Sequence, residues 1–426
     1  MSILISCNNI NPIDPDDSDN PFSNGGSERN MIVVISDIHL GADISYAETK
    51  ANLTHLVKFL DQIKSSNNVK ELVIAGDLLD EWFVPATTNT YQGKDQADFV
   101  RRIAVTNKGV IDAFNRIIKD RKIIVTYVPG NHDLTITAAN ITSILPGINQ
   151  ARDAALGLGT YSPGGCPIIA IEHGHRYNFF CAPDPISNKD IAPGSILPPG
   201  YFFTRIAVLS FLQDCHTPGD TMPTVTPNQS GGASQQLAYV YWNIWKKLIK
   251  QYPVVNKLKD KIIVTNIDGF TDTYSISDLV PYQLTPGGFI DVTLFKGVQD
   301  TWNERQLLNQ VTVNIPISEV ISNSANTVEM DNQAKTQYFM NPNSNKRIVI
   351  FGHSHTPIMV ASNNYKGEKS IYANTGTWID DNPGLTTMNF VVITPQNANV
   401  SSQTYVKLYN FEDEKATLMA VDSLRY

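Results

Sequence analysis

Short β-branched runs and longer stretches of helical periodicity alternate along the first part of the chain. MIVVIS, at 31–36, is an apolar run of strand length. Residues 47–64 then carry Leu53, Leu56, Val57, Leu60 and Ile63 at helical spacing. ELVIAGD, at 71–77, is a second strand. Residues 96–119 form a second helical stretch, with Phe99, Ile103, Val110, Phe114, Ile117 and Ile118 on its apolar side. KIIVTYVPGNHD (122–133) and CPIIAIEHGH (166–175) open with a third and a fourth strand. Strands alternating with helices predict an α/β layered fold, with parallel pairing at its start.

The alternation stops after His175. Residues 178–345 mix Pro/Gly-rich segments with aromatic-rich ones, among them ILPPGYFFTRIAVLSFL (196–212) and LAYVYWNIWKKLIKQY (237–252). The second is predicted as a helix, with Ser234 near its start and Pro253 ending it. RIVIFGHSH then restores a strand. SIYANTGTW, MNFVVIT, YVKLYNF and ATLMAV follow as short strands with no helix between them, which predicts antiparallel sheet. The organisation read from this pattern is a core built from 31–177 and 346–426, a polar segment at 1–30, and an inserted region at 178–345. The insertion is expected to fold against the core as a cap. Its stripe of Tyr241, Trp242, Ile244, Trp245 and Leu248 either packs the insertion itself or offers substrate an apolar surface.

Composition narrows the function classes. The chain has 426 residues, 42% of them hydrophobic, which is ample for a large buried core. It is acidic, with a formal net charge of -8, and carries no long run of lysine or arginine. Nucleic acid, which is bound mainly through phosphate neutralisation, is therefore disfavoured as a partner. No window is apolar enough for a transmembrane helix. The four cysteines include no C-x-x-C pair, which removes zinc-ribbon and thioredoxin-like chemistry. LISC, at 4–7, has the form of a lipobox, and the acidic polar stretch to Asn30 has the composition of a disordered tether. The run before Cys7 is short and lacks a basic leader. Two expectations follow: an exported protein anchored to a membrane through Cys7, or a cytoplasmic one in which Cys7 is incidental.

The ends of the predicted strands share one chemistry. The first runs into SDIHLG, with Asp37 and His39 two apart. The second runs into GDLLDEW, with Asp77 and Asp80. The third ends in PGNHD, with Asn131, His132 and Asp133, and the fourth in EHGHR, with His173, His175 and Arg176. The late strand ends in GHSH, with His353 and His355. Side chains two apart on an extended backbone point the same way, so each pair can aim at one object. Of eight histidines in the chain, six lie at these ends, and His55 and His216 do not. Sites in layered α/β folds form at the carboxyl ends of strands. Mixed carboxylate, amide and imidazole donors suit Mn, Fe or Zn. Two such ions can clamp the attacking and leaving oxygens of a displacement at phosphorus.

In order, these blocks resemble the D-x-H, G-D-x-x-(D/E), G-N-H-(D/E), H-G and G-H-x-H pattern of the calcineurin-like metallophosphoesterases. The resemblance spans roughly 31–178 and 345–395. It implies a layered α-β-β-α sandwich of mixed sheets and a hydrolase of phosphoric esters with two metal ions. Asp37, His39 and His355 are then expected on one ion, Asn131, His173 and His353 on the other, and Asp77 between them, with a metal-held hydroxide as nucleophile. It further implies His132 beside the reacting phosphoryl group, with Asp80 as its orienting partner. His175 and Arg176 are candidates for contact with substrate phosphate, or else belong to a solvated rim. GDLLDEW and NTGTW are similar to bacterial members that cleave nucleotide-linked lipid pyrophosphates. Those hydrolases typically carry Arg where this chain has His132, and a shorter lid. Phosphorylated small molecules and lipid-linked substrates both stay open. So do a protein phosphatase or nuclease of the same fold and, from another class, a catalytically silent binding module.

Overall fold

The computed structural model describes residues 20–154, 157–323, 328–397 and 401–426. Cys7, and with it the lipobox, lies outside them. Residues 20–30, expected to be part of a disordered tether, pack against the core instead. Phe22 is buried against Phe59 and Phe390, and the Arg29 guanidinium donates to the Ser66 and Val69 carbonyls.

The strands of the N-terminal part are β1 (Met31–Ile35), β2 (Val69–Ala75), β3 (Ile124–Val128), β4 (Asn149–Gln150), β5 (Thr160–Tyr161) and β6 (Ile169–Glu172). Between them run α1 (Leu53–Ser65), α2 (Gln96–Thr106), α3 (Lys108–Asp120) and α4 (Ala138–Ile144). The insertion holds α5 (Pro199–Leu212) and α6 (Gly232–Gln251). It also holds two small antiparallel pairs, β7 (Lys261–Val264) with β8 (Thr273–Ser275), and β9 (Tyr282–Gln283) with β10 (Ile290–Asp291). The chain closes with β11 (Ile348–Phe351), β12 (Ile358–Asn363), β13 (Lys369–Asn374), β14 (Asn389–Thr394), β15 (Thr404–Glu412) and β16 (Lys415–Leu424).

Two mixed sheets result. One has seven strands in the order β16-β15-β14-β1-β2-β3-β4, the other five in the order β12-β13-β11-β6-β5. The period of two along each strand decides what lies between and outside them. Ile32, Val34, Val73 and Val128 of the first sheet pack with Ile169, Ile171, Ile348 and Ile350 of the second. The alternate residues Val33, Ile35, Leu72 and Ile74 join Leu56, Phe59, Phe114 and Ile117 of α1 and α3. Covered on both faces, these strands read as unbroken apolar runs.

Several boundaries differ from the sequence reading, each for a local reason. Helix α1 starts at Leu53 rather than at 47, because the Asp380 carboxylate accepts from the backbone N–H groups of Lys50, Ala51 and Asn52 and holds that stretch as a loop. The stretch 96–119 divides into α2 and α3 at Asn107, whose side-chain amide donates to the carbonyls of Gly41 and Ile103. The late strands are antiparallel in β14, β15 and β16, but β13 pairs parallel with β11. Strand β12, unforeseen, is a largely exposed edge. The aromatic stripe of α6 packs the insertion's own core: Tyr241, Trp242 and Trp245 are buried, with Tyr241 against Phe179 and Phe180.

The insertion is joined to the core by more than its ends. Arg205 of α5 is fully buried and donates to the carbonyls of Val84 and Pro85, at 2.6 and 2.9 Å. The Ala86 N–H donates back to the Arg205 carbonyl at 3.0 Å.

Candidate metal centre

Asp37 and His39 lie just past β1, Asp77 past β2, Asn131 and His132 past β3, His173 past β6, and His353 and His355 past β11. The fold thus brings the five strand-end blocks to one place. The loops after β1 and β2 run side by side, with the His39 N–H bonded to the Asp77 carbonyl at 2.9 Å.

The backbone reason for the convergence is not the extended geometry expected for residues two apart. Asp37, His39, Asp77, His353 and His355 adopt left-handed φ values of 52°, 51°, 51°, 69° and 55°. Few non-glycine residues do so, Asp and His more readily than most. Each turns its side chain inward where the strand's alternation has ended. Two glycines make the close approach possible. A β-carbon on Gly76 would collide with the His173 ring, and one on Gly130 with the Asp77 carboxylate.

Donor atoms crowd together at the centre. Asp37 Oδ1 lies 3.1 Å from His355 Nε2 and 3.9 Å from His39 Nε2. Asp77 Oδ2 lies 3.1 Å from His173 Nε2 and 3.7 Å from His39 Nε2. His39 and His355 bring their Nε2 atoms to 3.2 Å, and His173 Nε2 is 3.0 Å from Asn131 Oδ1. Asp37, His39 and His355 form one group able to hold a metal ion, and Asp37, Asp77 and His173 a second. His353 flanks His173, their ring centroids 5.1 Å apart, and its buried Nδ1 has no hydrogen-bond partner among the described residues.

The surrounding hydrogen bonds fix the tautomers. His173 Nδ1 donates to the Ala75 carbonyl at 2.8 Å, which leaves its Nε2 facing Asn131 Oδ1 and Asp77 Oδ2. His39 Nδ1 donates to Asp80 Oδ2 at 2.9 Å, so its Nε2 likewise faces acceptors. Facing these oxygens, each Nε2 needs either a proton or a metal cation between, and an Nδ1 held by a carbonyl or carboxylate is the usual second layer of a metal site. The donor set therefore fits a metal.

Protons respond to the same field. Burial opposes charge on His173, but Asp77 and Asp37 overrule it and raise the imidazole to about 9. Burial pushes the Asp37 carboxyl up, yet His173 and His355 hold it well below the ordinary carboxylate range. His353 has no such compensation: burial, with His173 beside it, takes it down to about 3.

His132 stands at the rim. Its Nδ1 lies 2.9 Å from Asp80 Oδ1, its backbone N–H donates to Asp77 Oδ1 at 2.8 Å, and its ring stacks on Trp82 at 4.9 Å between centroids. With side-chain exposures of 14% and 26%, His132 and His355 mark the side on which the cluster opens to solvent. Asp133 faces away, accepting from the N–H groups of Leu78, Leu79 and Gly130, and so ties the β2 and β3 loops together.

Two candidate phosphate contacts are not placed for that role. Arg176 is buried, with its guanidinium held by Glu172 at 2.8 Å and Asp153 at 2.7 Å, so it supports the β6 loop instead. His175 is buried behind His173, and neither of its ring nitrogens has a partner among the described residues. Glu48 was not foreseen. Its Oε2 lies 3.4 Å from His39 Nδ1, and it belongs with His39, Asp80 and His132 to a third group of potential ligands. It sits in the loop before α1, and nothing in the local pattern marks it.

Two mixed sheets covered by helices thus carry, at their strand ends, a buried Asp/His cluster that could hold metal. Residues 31–203 match the family model described as calcineurin-like phosphoesterase. The match ends within α5, so the GHSH block of β11 lies beyond it. The chain has no match among the curated proteins.

Proposed function

We propose that the protein hydrolyses phosphate esters at a dinuclear centre. Asp37, His39 and His355 hold one ion, Asn131, His173 and His353 the other, and Asp77 lies between them. Mn, Fe and Zn all suit these donors. The observation that carries the reading is the convergence of His173 Nε2 on the oxygens of Asn131 and Asp77, with Nδ1 held by the Ala75 carbonyl, beside the Asp37, His39 and His355 group.

The bound ions would supply Lewis-acid charge to the phosphoryl oxygens and acidify water. The protein's own residues do the rest. His132, on the open side and beside Asp77, carries a proton to the leaving oxygen. Asp80 accepts from His132 Nδ1, which presents the other ring nitrogen to the substrate and stabilises the charged ring. Trp82, stacked on the same ring, limits its rotation.

The test is a panel of mono-, di- and pyrophosphate esters, given to chelated protein reloaded with Mn, with metal content measured in the same samples. Hydrolysis of one class, dependent on bound metal, is the expected result. A protein carrying two equivalents of metal and cleaving none of them would overturn the catalytic reading in favour of a silent binding module.

A further inference from the structure

Asp331 belongs to none of the motif blocks. It stands in the insertion, in the short helix Val328–Ala334, yet its carboxylate reaches into the core. Its Oδ1 accepts from Ser354 Oγ at 3.3 Å, from Asn374 Nδ2 at 3.2 Å and from the Tyr372 hydroxyl. Ser354 is the residue between His353 and His355. Asn374 Nδ2 also donates to the Gly352 carbonyl at 2.6 Å. One carboxylate thus gathers the donors that shape the GHSH loop.

A few residues on, the same segment touches the other histidine loop. The Tyr338 hydroxyl donates to Glu172 Oε1 at 2.9 Å, and Glu172 directly precedes His173. The Tyr338 ring also lies 6.4 Å from that of Phe351, at the end of β11. The segment is braced from behind by Gln337, which exchanges two 2.8 Å hydrogen bonds with the backbone of Val313.

Burying a carboxylate is costly, and Asp331 is only 7% exposed. The donors of Ser354, Tyr372 and Asn374 offset that cost together, and the Ser354 and Tyr372 hydroxyls would lose this acceptor if the carboxylate were removed. We infer that Asp331 and Tyr338 are positioning residues of the metal centre, through which the insertion holds the His173 and His353/His355 loops in the geometry that retains metal. This inference rests on the metal reading above. Partners bonded directly to ligands typically contribute about 10- to 100-fold in metal affinity; Asp331 and Tyr338 hold the chain neighbours of ligands, so the lower end of that range is expected.

The experiment measures Mn affinity and stoichiometry by competition with a chelator, and thermal unfolding of the metal-free protein, on the full chain. Asp331→Ala and Tyr338→Phe should each weaken Mn binding, by about tenfold for the former. Asp331→Asn should restore binding close to the original, because its amide oxygen still accepts from the same donors. Ser354→Ala, which removes one of these bonds from the other side, keeps the test alive if Asp331→Ala does not fold. The control is Asp268→Ala, since Asp268 accepts from Ser195 and Ile196 elsewhere in the insertion. That variant should lower the unfolding temperature and leave Mn affinity unchanged. Unchanged affinity in the Asp331, Tyr338 and Ser354 variants overturns the inference alone, as does an equal loss in Asp268→Ala. A wild-type protein that binds no metal overturns the metal reading, and this inference with it.

Discussion

Asp80 Oδ2 accepts a hydrogen bond from His39 Nδ1 at 2.9 Å. The other oxygen of the same carboxylate accepts from His132 Nδ1 at the same distance, 2.9 Å. One side chain therefore orients a proposed metal ligand and the proposed proton donor at once. Asp80→Asn should damage both: lower metal content, and a turnover reduced by about 10² or more, because an amide can accept through only one of its two atoms. Elemental analysis beside a rate measurement checks this, and a loss of rate at full metal content would assign Asp80 to His132 alone.

His132→Ala should keep both metals, since none of the paired donor atoms at the centre belongs to His132. General-acid help is worth about 10²–10⁴ in rate when the leaving oxygen is basic. Alkyl phosphate esters should suffer far more than nitrophenyl esters, whose leaving group needs little protonation. Equal losses on the two ester types would instead assign His132 to stabilising the phosphoryl oxygens.

Asp77→Asn should lower metal content together with turnover. Its Oδ2 lies within 3.7 Å of both His39 and His173, and the two proposed cations would need its charge. Two equivalents of tightly bound Mn in this variant would remove Asp77 from the bridging position.

Glu81 gives a stability test independent of metal. It is fully buried, and burial raises its carboxyl to about 7, against donors from Thr135, Tyr91 and Gln96. The native state thus holds a proton that the unfolded chain releases near 4.5. The associated stability is complete below the unfolded value and is lost as pH rises through about 7, with a size on the order of 3 kcal/mol. Glu81→Gln should remove that part of the pH dependence and raise the unfolding temperature above pH 7 relative to the wild type. Parallel melting curves across pH 5 to 8 for the two proteins would contradict it.

The site was more legible in the sequence than the insertion was. Asp37, His39, Asp77, Asn131, His132, His173, His353 and His355 each follow an apolar run, and a strand end is where layered α/β folds place chemistry. Asp331 and Glu48 were not legible. Each reaches the site through tertiary contact alone, from a helix and a loop with no motif around them, so periodicity carries no trace of either. Arg176 misled for the opposite reason. It lies three positions after His173 in sequence, but its partners Glu172 and Asp153 draw it into the β6 support. The starts of α1 and α3 were likewise set by side chains distant in sequence or turned back on the backbone, Asp380 and Asn107, and not by the apolar pattern.

The left-handed backbone at Asp37, His39, Asp77, His353 and His355 has an evolutionary consequence. Each such residue holds strain on the order of 1–3 kcal/mol, and the two aspartates also bury charge. A glycine at any of these positions would relax the backbone and delete a proposed ligand in a single step. Selection of this protein for heat resistance alone would therefore be drawn to the catalytic turns, and its winners would be stable, folded and inert. Only a screen that demands turnover in every round keeps the strain in place.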